Sequence, residues 1–372
     1  MKNKLDRIKM TSRQKPREED LRGPYFRDQT AIIHASAFRR LKHKTQVFFA
    51  PENDHICTRI EHVLHVATVA ATICRGLNEE DEDWNLDAEL AYAAGLGHDL
   101  GHAPFGHFGE KSLTLAMKEP DKPSEPFYHE PHSLRVVDHL ANNGRGLNLT
   151  YAARDAILCH NGERFEQYLE PDHGFVDLEE KAHDKARVPA TWEGCIVRFA
   201  DKIAYLGRDI EDALLAKFIV IEDVPKRIRD ALGETNGKII NALILDLIDN
   251  TKRMGKVGLS DDKHSLITEL RDFNYKRIYD HDRLVTYQGY CKAIITSLCE
   301  YLLTYGQAII HGEKKHPIID DRFQKYVQSI PKQYDKEGGL RLAVRDYVAG
   351  MSDNYALTCF KELTLPKPIE FN

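Results

Sequence analysis

Gly97-His98-Asp99-Leu100-Gly101-His102-Ala103-Pro104-Phe105-Gly106-His107-Phe108-Gly109-Glu110 is the stretch from which the rest of this chain can be read. It sets three imidazoles and two carboxylates among four glycines and a proline, so the backbone turns tightly while proton-handling and metal-binding groups converge. Residues Leu86 to Leu96, just before it, read as a helix of small residues with Asp87 as its cap. His98 and Asp99 therefore fall at a helix C-terminus, whose partial negative charge favours a cation. An imidazole nitrogen and a carboxylate oxygen suit manganese, iron or magnesium, with zinc less favoured. Two ligands do not close a site, and the others must come from elsewhere in the chain.

Working outward, Thr58-Arg59-Ile60-Glu61 has the form of a capping box and opens a helix running to about Arg75, with Gly76 as its stop. His62 lies on or near the buried face of that helix, a place for either a core histidine or a ligand. Downstream, Trp192 to Leu215 reads as one long helix on which Asp201, Tyr205 and Asp209 recur at i, i+4, i+8, with Lys202 and Asp212 beside them. A polar stripe on so apolar a helix points to a wet cavity, and Asp201 is then a candidate fourth ligand. Nine of the eighteen histidines fall between His55 and His139, which marks this half of the chain as catalytic.

The 372 residues, 42% of them hydrophobic, can bury a large core, which excludes a disordered chain. The seven cysteines are scattered, odd in number and without Cys-x-x-Cys spacing, so neither a disulfide framework nor a thiolate zinc site is expected. No run of 18 apolar residues occurs and the N-terminus lacks the apolar stretch of a signal peptide, so no membrane contact and a cytoplasmic location are expected. Residues 1–44 carry thirteen Lys/Arg against five Asp/Glu. That excess reads as a solvated basic arm, as phosphate contacts from Arg22, Arg27, Arg39 or Arg40, or as a patch for nucleic acid.

The periodicity elsewhere is almost wholly helical. A proline-rich connection covers 121–130, His129 to Leu140 and Tyr151 to His160 are helices, and 161–190 is a polar loop or lid. Beyond Leu215 helices are expected at 225–232, 238–252, 261–279, 283–311, 320–328 and 337–362. The expected architecture is all-α, with a basic arm at 1–20, a catalytic region at 21–215 and a helical C-terminal extension at 216–372 packed on it.

The order His62, His98-Asp99, Asp201 resembles the HD-domain metallophosphohydrolases, and among them the deoxyguanosine triphosphate triphosphohydrolase family. The local matches are FRRLKHKTQVF (38–48), DHICTRIEHVLHVA (54–67), GLGHDLGHAPFGHFGE (95–110), HEPHSLRVV (129–137), ADKIAYLGRDIEDA (200–213) and DYVAGMSDNYAL (346–357). They run in order through most of the chain. The resemblance implies a helical metallohydrolase fold with His62, His98, Asp99 and Asp201 as metal ligands. It implies His107 and Glu110 as catalytic residues, His129 as a further active-site histidine, and His102 facing the substrate phosphates. Arg59, Lys202 and Arg271 match phosphate-binding positions of the mammalian relative. Gln46 and Asp209 match its contacts to the sugar 3′-hydroxyl, Tyr205 the ring against the sugar, and Tyr279 lies near base or sugar. Lys202 departs from the second aspartate of many bacterial members, and His65 and His132 lie outside the pattern and read as surrounding polarity.

The implied activity is metal-dependent hydrolysis of deoxynucleoside triphosphates, dGTP or other dNTPs, to deoxynucleoside and tripolyphosphate. No glycine-rich phosphate cradle occurs, which disfavours kinase-type transfer. Two alternatives stand: another HD-type nucleotide phosphohydrolase, and a nucleotide-gated regulatory protein that binds nucleic acid through the basic arm. Further expected partners are an activating dNTP, weakly held single-stranded nucleic acid, and copies of the chain itself in a tetramer or hexamer.

Overall fold

The computed structural model describes residues 7–18, 20–48, 55–80, 83–119, 125–160 and 165–365. Residues 1–6 and 19 of the basic arm, 121–124 of the proline-rich connection and 161–164 of the polar loop lie outside the described residues.

Helices make up nearly all of the regular structure, and local chemistry sets where they begin. The Asp87 carboxylate accepts from the backbone N–H of Glu89 at 2.9 Å and of Leu90 at 3.2 Å, opening Ala88–Gly97. Glu61 reaches back to accept the Thr58 N–H at 2.7 Å, opening Arg59–Glu80. That helix does not stop at Gly76. The glycine sits inside it because a Cβ there would lie 2.6 Å from Ile248 Cδ1, on the neighbouring helix Asn236–Met254. Gly95 does the same for the central pair, since its Cβ would lie 2.6 Å from Ala67 Cα.

Arg59–Glu80, Ala88–Gly97 and Trp192–Leu215 thus pack closely as the core of the catalytic half. Val66, Ile73, Ile196, Phe199 and Ile203 fill one side. Val63, Ala67, Leu96 and Ile157 fill the other, against Gly23–His34 and Tyr151–Cys159. Each such side chain contributes about 1.5–3 kcal/mol through burial, enough to hold polar groups of the same helices away from bulk water.

The arm is not simply solvated. Met10 is buried, and the Arg13 guanidinium donates to Asp28 at 2.6 Å, to the Asn148 carbonyl at 2.6 Å and to the Pro24 carbonyl at 2.8 Å. Arg22 pairs with Asp20 at 2.6 Å. The stretch 165–190 is largely irregular but tied down, by Arg187 to Asp155 at 2.5 Å and by a two-residue antiparallel pairing of Tyr168–Leu169 with Val257–Gly258.

In the C-terminal part, Asp282–Ile310 has the length and apolarity of a membrane span, with mean hydropathy 1.3, yet its Ile295, Leu298 and Leu302 face Leu113, Phe323 and Val344 in a third core cluster. The expected helix 337–362 is two, Gly339–Ala349 and Asp353–Thr364. The Ser352 hydroxyl accepts from the Tyr355 N–H at 3.3 Å and starts the second. The break aims Asp353 at Thr45, 308 residues away in sequence.

Candidate active site

The four expected metal ligands converge from two helices, Arg59–Glu80 and Trp192–Leu215, and from the turn that follows a third, Ala88–Gly97. Asp201 Oδ1 lies 3.0 Å from His62 Nε2 and 3.9 Å from His98 Nε2, while Asp99 lies 3.4 Å from His98 Nε2 and 3.8 Å from His62 Nε2. All four are buried. His98 Nδ1 donates to the Gly95 carbonyl at 2.8 Å, so the Nε2 lone pair faces the cluster, where that buried nitrogen has no hydrogen-bond partner. An orphaned imidazole nitrogen among two carboxylates and a second imidazole fits a divalent cation with nitrogen and oxygen preference. Burial lowers the His98 imidazole and keeps it neutral, as a ligand must be. Burial would raise Asp99, but His98, His102 and Arg59 outweigh it and hold the carboxyl well below its usual range. Asp201 is lowered likewise, against burial, by its hydrogen bond to His62.

A second group of imidazoles adjoins the first. Gly101 makes it possible: a Cβ there would lie 2.2 Å from Ser133 N, so only glycine lets the turn after Asp99 touch the helix His129–Arg135. His102 and His129 stack at 3.9 Å between ring centroids. Their Nδ1 atoms lie 2.6 Å and 3.0 Å from Glu110 Oε1. His107 Nδ1 is 3.6 Å from Glu110 Oε2, and its side chain is 53% exposed, so of this group it is the one open to a bound molecule. Burial, then Arg59, pushes His102 down to about 4. Burial also acts to lower His129, but Glu130, Glu110 and Asp99 outweigh it and hold this imidazole up to about 10.

The expected substrate residues are partly assembled. Tyr205 and Asp209 continue the Asp201 face along the helix, Asp209 buried, and the Tyr279 hydroxyl donates to the Asp209 carboxylate. Gln46 Oε1 is buried without a hydrogen-bond partner. Lys202 lies 3.2 Å from Glu166, and burial draws its ammonium down to about 8. Arg271 does not join the metal cluster; it pairs with Asp272 at 2.6 Å and stacks on Phe165 at 4.5 Å, the ring that Lys202 approaches at 5.2 Å. Arg59 is committed inward: its guanidinium donates to Asp99 at 2.5 Å and to the Thr45 carbonyl at 3.2 Å. His65 is half-buried on the helix Arg59–Glu80. His132 is a buried support, its Nδ1 2.8 Å from the Gly101 carbonyl.

The sequence reading missed three residues. Glu166, in the polar loop, salt-bridges Arg198 at 2.6 Å as well as Lys202. Asp353 braces the loops around Arg59. His160 stands 3.0 Å from His129 across their Nε2 atoms. The signal for His160 was available: like His98, it directly follows a helix of small and apolar residues, Tyr151–Cys159.

Helices that bring two histidines and two aspartates to one buried point define a metal-dependent phosphohydrolase of the HD class, and residues 59–254 match the HD domain. Residues 257–362 match the phosphohydrolase-associated domain. The chain is 36% identical to a deoxyguanosinetriphosphate triphosphohydrolase-like protein of Caldanaerobacter subterraneus subsp. tengcongensis, over 96% of this chain and 90% of that one. It is 34% identical to the similarly named protein of Desulfatibacillum aliphaticivorans, over 94% and 90%, and 32% identical to that of Clostridium tetani, over 95% and 89%. The chain belongs to this HD-domain, dGTP triphosphohydrolase-like family.

Proposed function

We propose that the protein hydrolyses deoxynucleoside triphosphates to deoxynucleoside and inorganic tripolyphosphate. One observation carries the reading: Asp201, Tyr205 and Asp209 succeed one another by single turns on one helix, so an expected metal ligand, an aromatic ring and a carboxylate lie in a line along it. That spacing suits an α-phosphate at Asp201 and a sugar over Tyr205, with its 3′-hydroxyl at Asp209 and Gln46.

A divalent ion held by His62, His98, Asp99 and Asp201 supplies, when bound, charge neutralisation and polarisation of a phosphate oxygen. Arg59, exchanging part of its pairing with Asp99, and Lys202 and Arg271, drawn from Glu166 and Asp272, bind the β- and γ-phosphates. Tyr205 packs on C2′ and leaves no room for a ribose hydroxyl. His107, oriented by Glu110, is open to the reacting centre and moves the proton, with His129 behind it. Water attacks the α-phosphorus, the P–O5′ bond breaks, and O5′ leaves protonated while the water oxygen stays on tripolyphosphate. Residues 21–215 form the catalytic region and 216–372 the extension, acting in a cytoplasmic homo-oligomer.

The test is product analysis in ¹⁸O-labelled water, with manganese or magnesium and each dNTP in turn. Deoxynucleoside and labelled tripolyphosphate are expected. Label in a nucleoside monophosphate, or comparable efficiency on GTP and dGTP, would overturn the reading.

A further inference from the structure

A single carboxylate stands over two cations at the edge of the site. Arg198 and Lys202 lie one turn apart on Trp192–Leu215, and Glu166 bridges them, with Oε1 2.6 Å from the Arg198 guanidinium and Oε2 3.2 Å from the Lys202 ammonium. The side chains of both cations are 1% exposed and that of Glu166 is 27% exposed, so the carboxylate is the member on the solvent side. Arg271 joins them through Phe165, whose ring it meets at 4.5 Å and Lys202 at 5.2 Å. Whatever anion approaches Lys202 from solvent therefore meets Glu166 first.

The backbone on both sides of Glu166 is tied down. His264 Nε2 donates to the Phe165 carbonyl at 3.0 Å, the Gln167 carbonyl accepts from the Leu259 N–H at 3.3 Å, and Tyr168–Leu169 pairs with Val257–Gly258. Gly258 permits that approach, since a Cβ there would lie 2.3 Å from the Gln167 carbonyl oxygen. Rotation of the Glu166 side chain is then the motion that uncovers both cations, with no opening of the chain around it.

We propose that Glu166 is a built-in competitor of the polyphosphate chain. Its carboxylate holds Arg198 and Lys202 before the triphosphate enters, swings aside as the chain takes Lys202, and returns to displace tripolyphosphate once the P–O5′ bond has broken. The inference rests on the proposed hydrolysis of deoxynucleoside triphosphates and deepens it, by naming the residue that limits the hold on the product.

Charge favours such a device. Tripolyphosphate gains an ionisable oxygen when it parts from the nucleoside, so the cations that bind substrate bind this product more strongly, through charge-assisted hydrogen bonds. A carboxylate tethered beside the same cations offers them a partner at high effective concentration. When the product leaves, no buried charge is left unpaired. Glu166→Gln keeps the shape and one acceptor oxygen but removes the competing charge. Inorganic tripolyphosphate should then bind about 10-fold tighter, the lower end of what one hydrogen bond to a charged group carries.

The experiment is isothermal titration calorimetry of the full chain with inorganic tripolyphosphate in saturating magnesium, beside tripolyphosphate inhibition of dNTP turnover. Glu166→Gln should tighten binding and inhibition together, lower KM and lower kcat as product release slows. Glu166→Asp keeps the charge but, one methylene shorter, reaches one cation instead of two, and should tighten binding by less. Glu170→Gln, which removes the same charge four residues along where the carboxylate pairs with Lys256, should change nothing. Unchanged or weaker tripolyphosphate binding in a folded Glu166→Gln protein would overturn the inference. So would a Glu166→Gln protein that does not fold, which would make the carboxylate a structural tie, or an equal gain in Glu170→Gln. Turnover of dNTPs with tripolyphosphate affinity unmoved by Glu166→Gln would remove the competitor and leave the proposed reaction standing. Tighter tripolyphosphate binding in a protein that leaves every dNTP intact would do the reverse.

Discussion

Asp353→Ala removes a carboxylate that no contact with substrate would single out, and its effect can be worked from the structure. Asp353 Oδ2 accepts from the Thr45 backbone N–H at 2.7 Å and from the Thr45 hydroxyl at 2.5 Å; Oδ1 accepts from the Phe105 N–H at 2.9 Å. All three residues are buried. The hydroxyl can turn to another acceptor, but the two amides cannot, and a buried donor left unpaired costs about 1–3 kcal/mol. Against that, burial raises the Asp353 carboxyl, so its ionisation already weighs on the native state and removing it returns part of the loss. The net expectation is a destabilisation of about 2–4 kcal/mol, which leaves a protein of ordinary stability folded.

Activity should fall further than stability. The Thr45 carbonyl anchors Arg59, and Phe105 immediately precedes Gly106–Ala116, the helix bearing His107 and Glu110. A shift of about 1 Å in those groups costs on the order of 100-fold in rate. The assay is urea unfolding alongside kcat, KM and bound metal for wild type, Asp353→Ala and Asp353→Asn. The amide keeps one acceptor but turns donors toward an N–H, so it should fall between the other two. A stability change under about 0.5 kcal/mol, or wild-type kcat in Asp353→Ala, would refute the argument that this carboxylate holds the two loops in place.

Three further outcomes are expected. His98→Ala and Asp201→Ala should each lose hydrolysis together with the ion bound at their cluster, read by metal analysis; undiminished metal in both would remove them as ligands. Removing His107 or Glu110 should lower kcat by roughly 100- to 10,000-fold with metal content intact, and an unchanged rate would take that residue out of the proton path. Burial raises Asp209 to about 7, against the pull of the Tyr279 hydroxyl. An acid raised in the folded state loses native stability as pH climbs from its unfolded value, about 3.8, to its folded one. Asp209→Asn, which resembles the protonated acid, should therefore be more stable than wild type by roughly 1–3 kcal/mol at pH 8 and no more stable near pH 3.5. Unfolding curves that differ equally at both pH values would contradict that assignment.

Much of this protein is legible without coordinates. Asp87 and Thr58 with Glu61 each mark a helix start within a few residues, because caps satisfy donors of their own backbone and act locally. The polar stripe Asp201, Tyr205, Asp209 follows from helical period alone. Gly76 misled, because a glycine that ends a helix and a glycine that admits a neighbouring helix look the same in sequence, and Ile248 lies 172 residues away. Arg59 and Arg271 could be assigned a charge but not a partner, and one is turned to Asp99 while the other lies on Phe165.

What the sequence by itself determined is the helical class, the residue types of the candidate metal cluster and the helices and helix end that carry them, since period, capping and chemical type are properties of short stretches. Tertiary structure alone decided that His160 meets His129, that Glu166 meets Lys202, and that the break after Ala349 delivers Asp353 to Thr45. Those meetings depend on how three core clusters pack against one another, and the packing energy that selects them is spread over many side chains, none of which announces its distant partner.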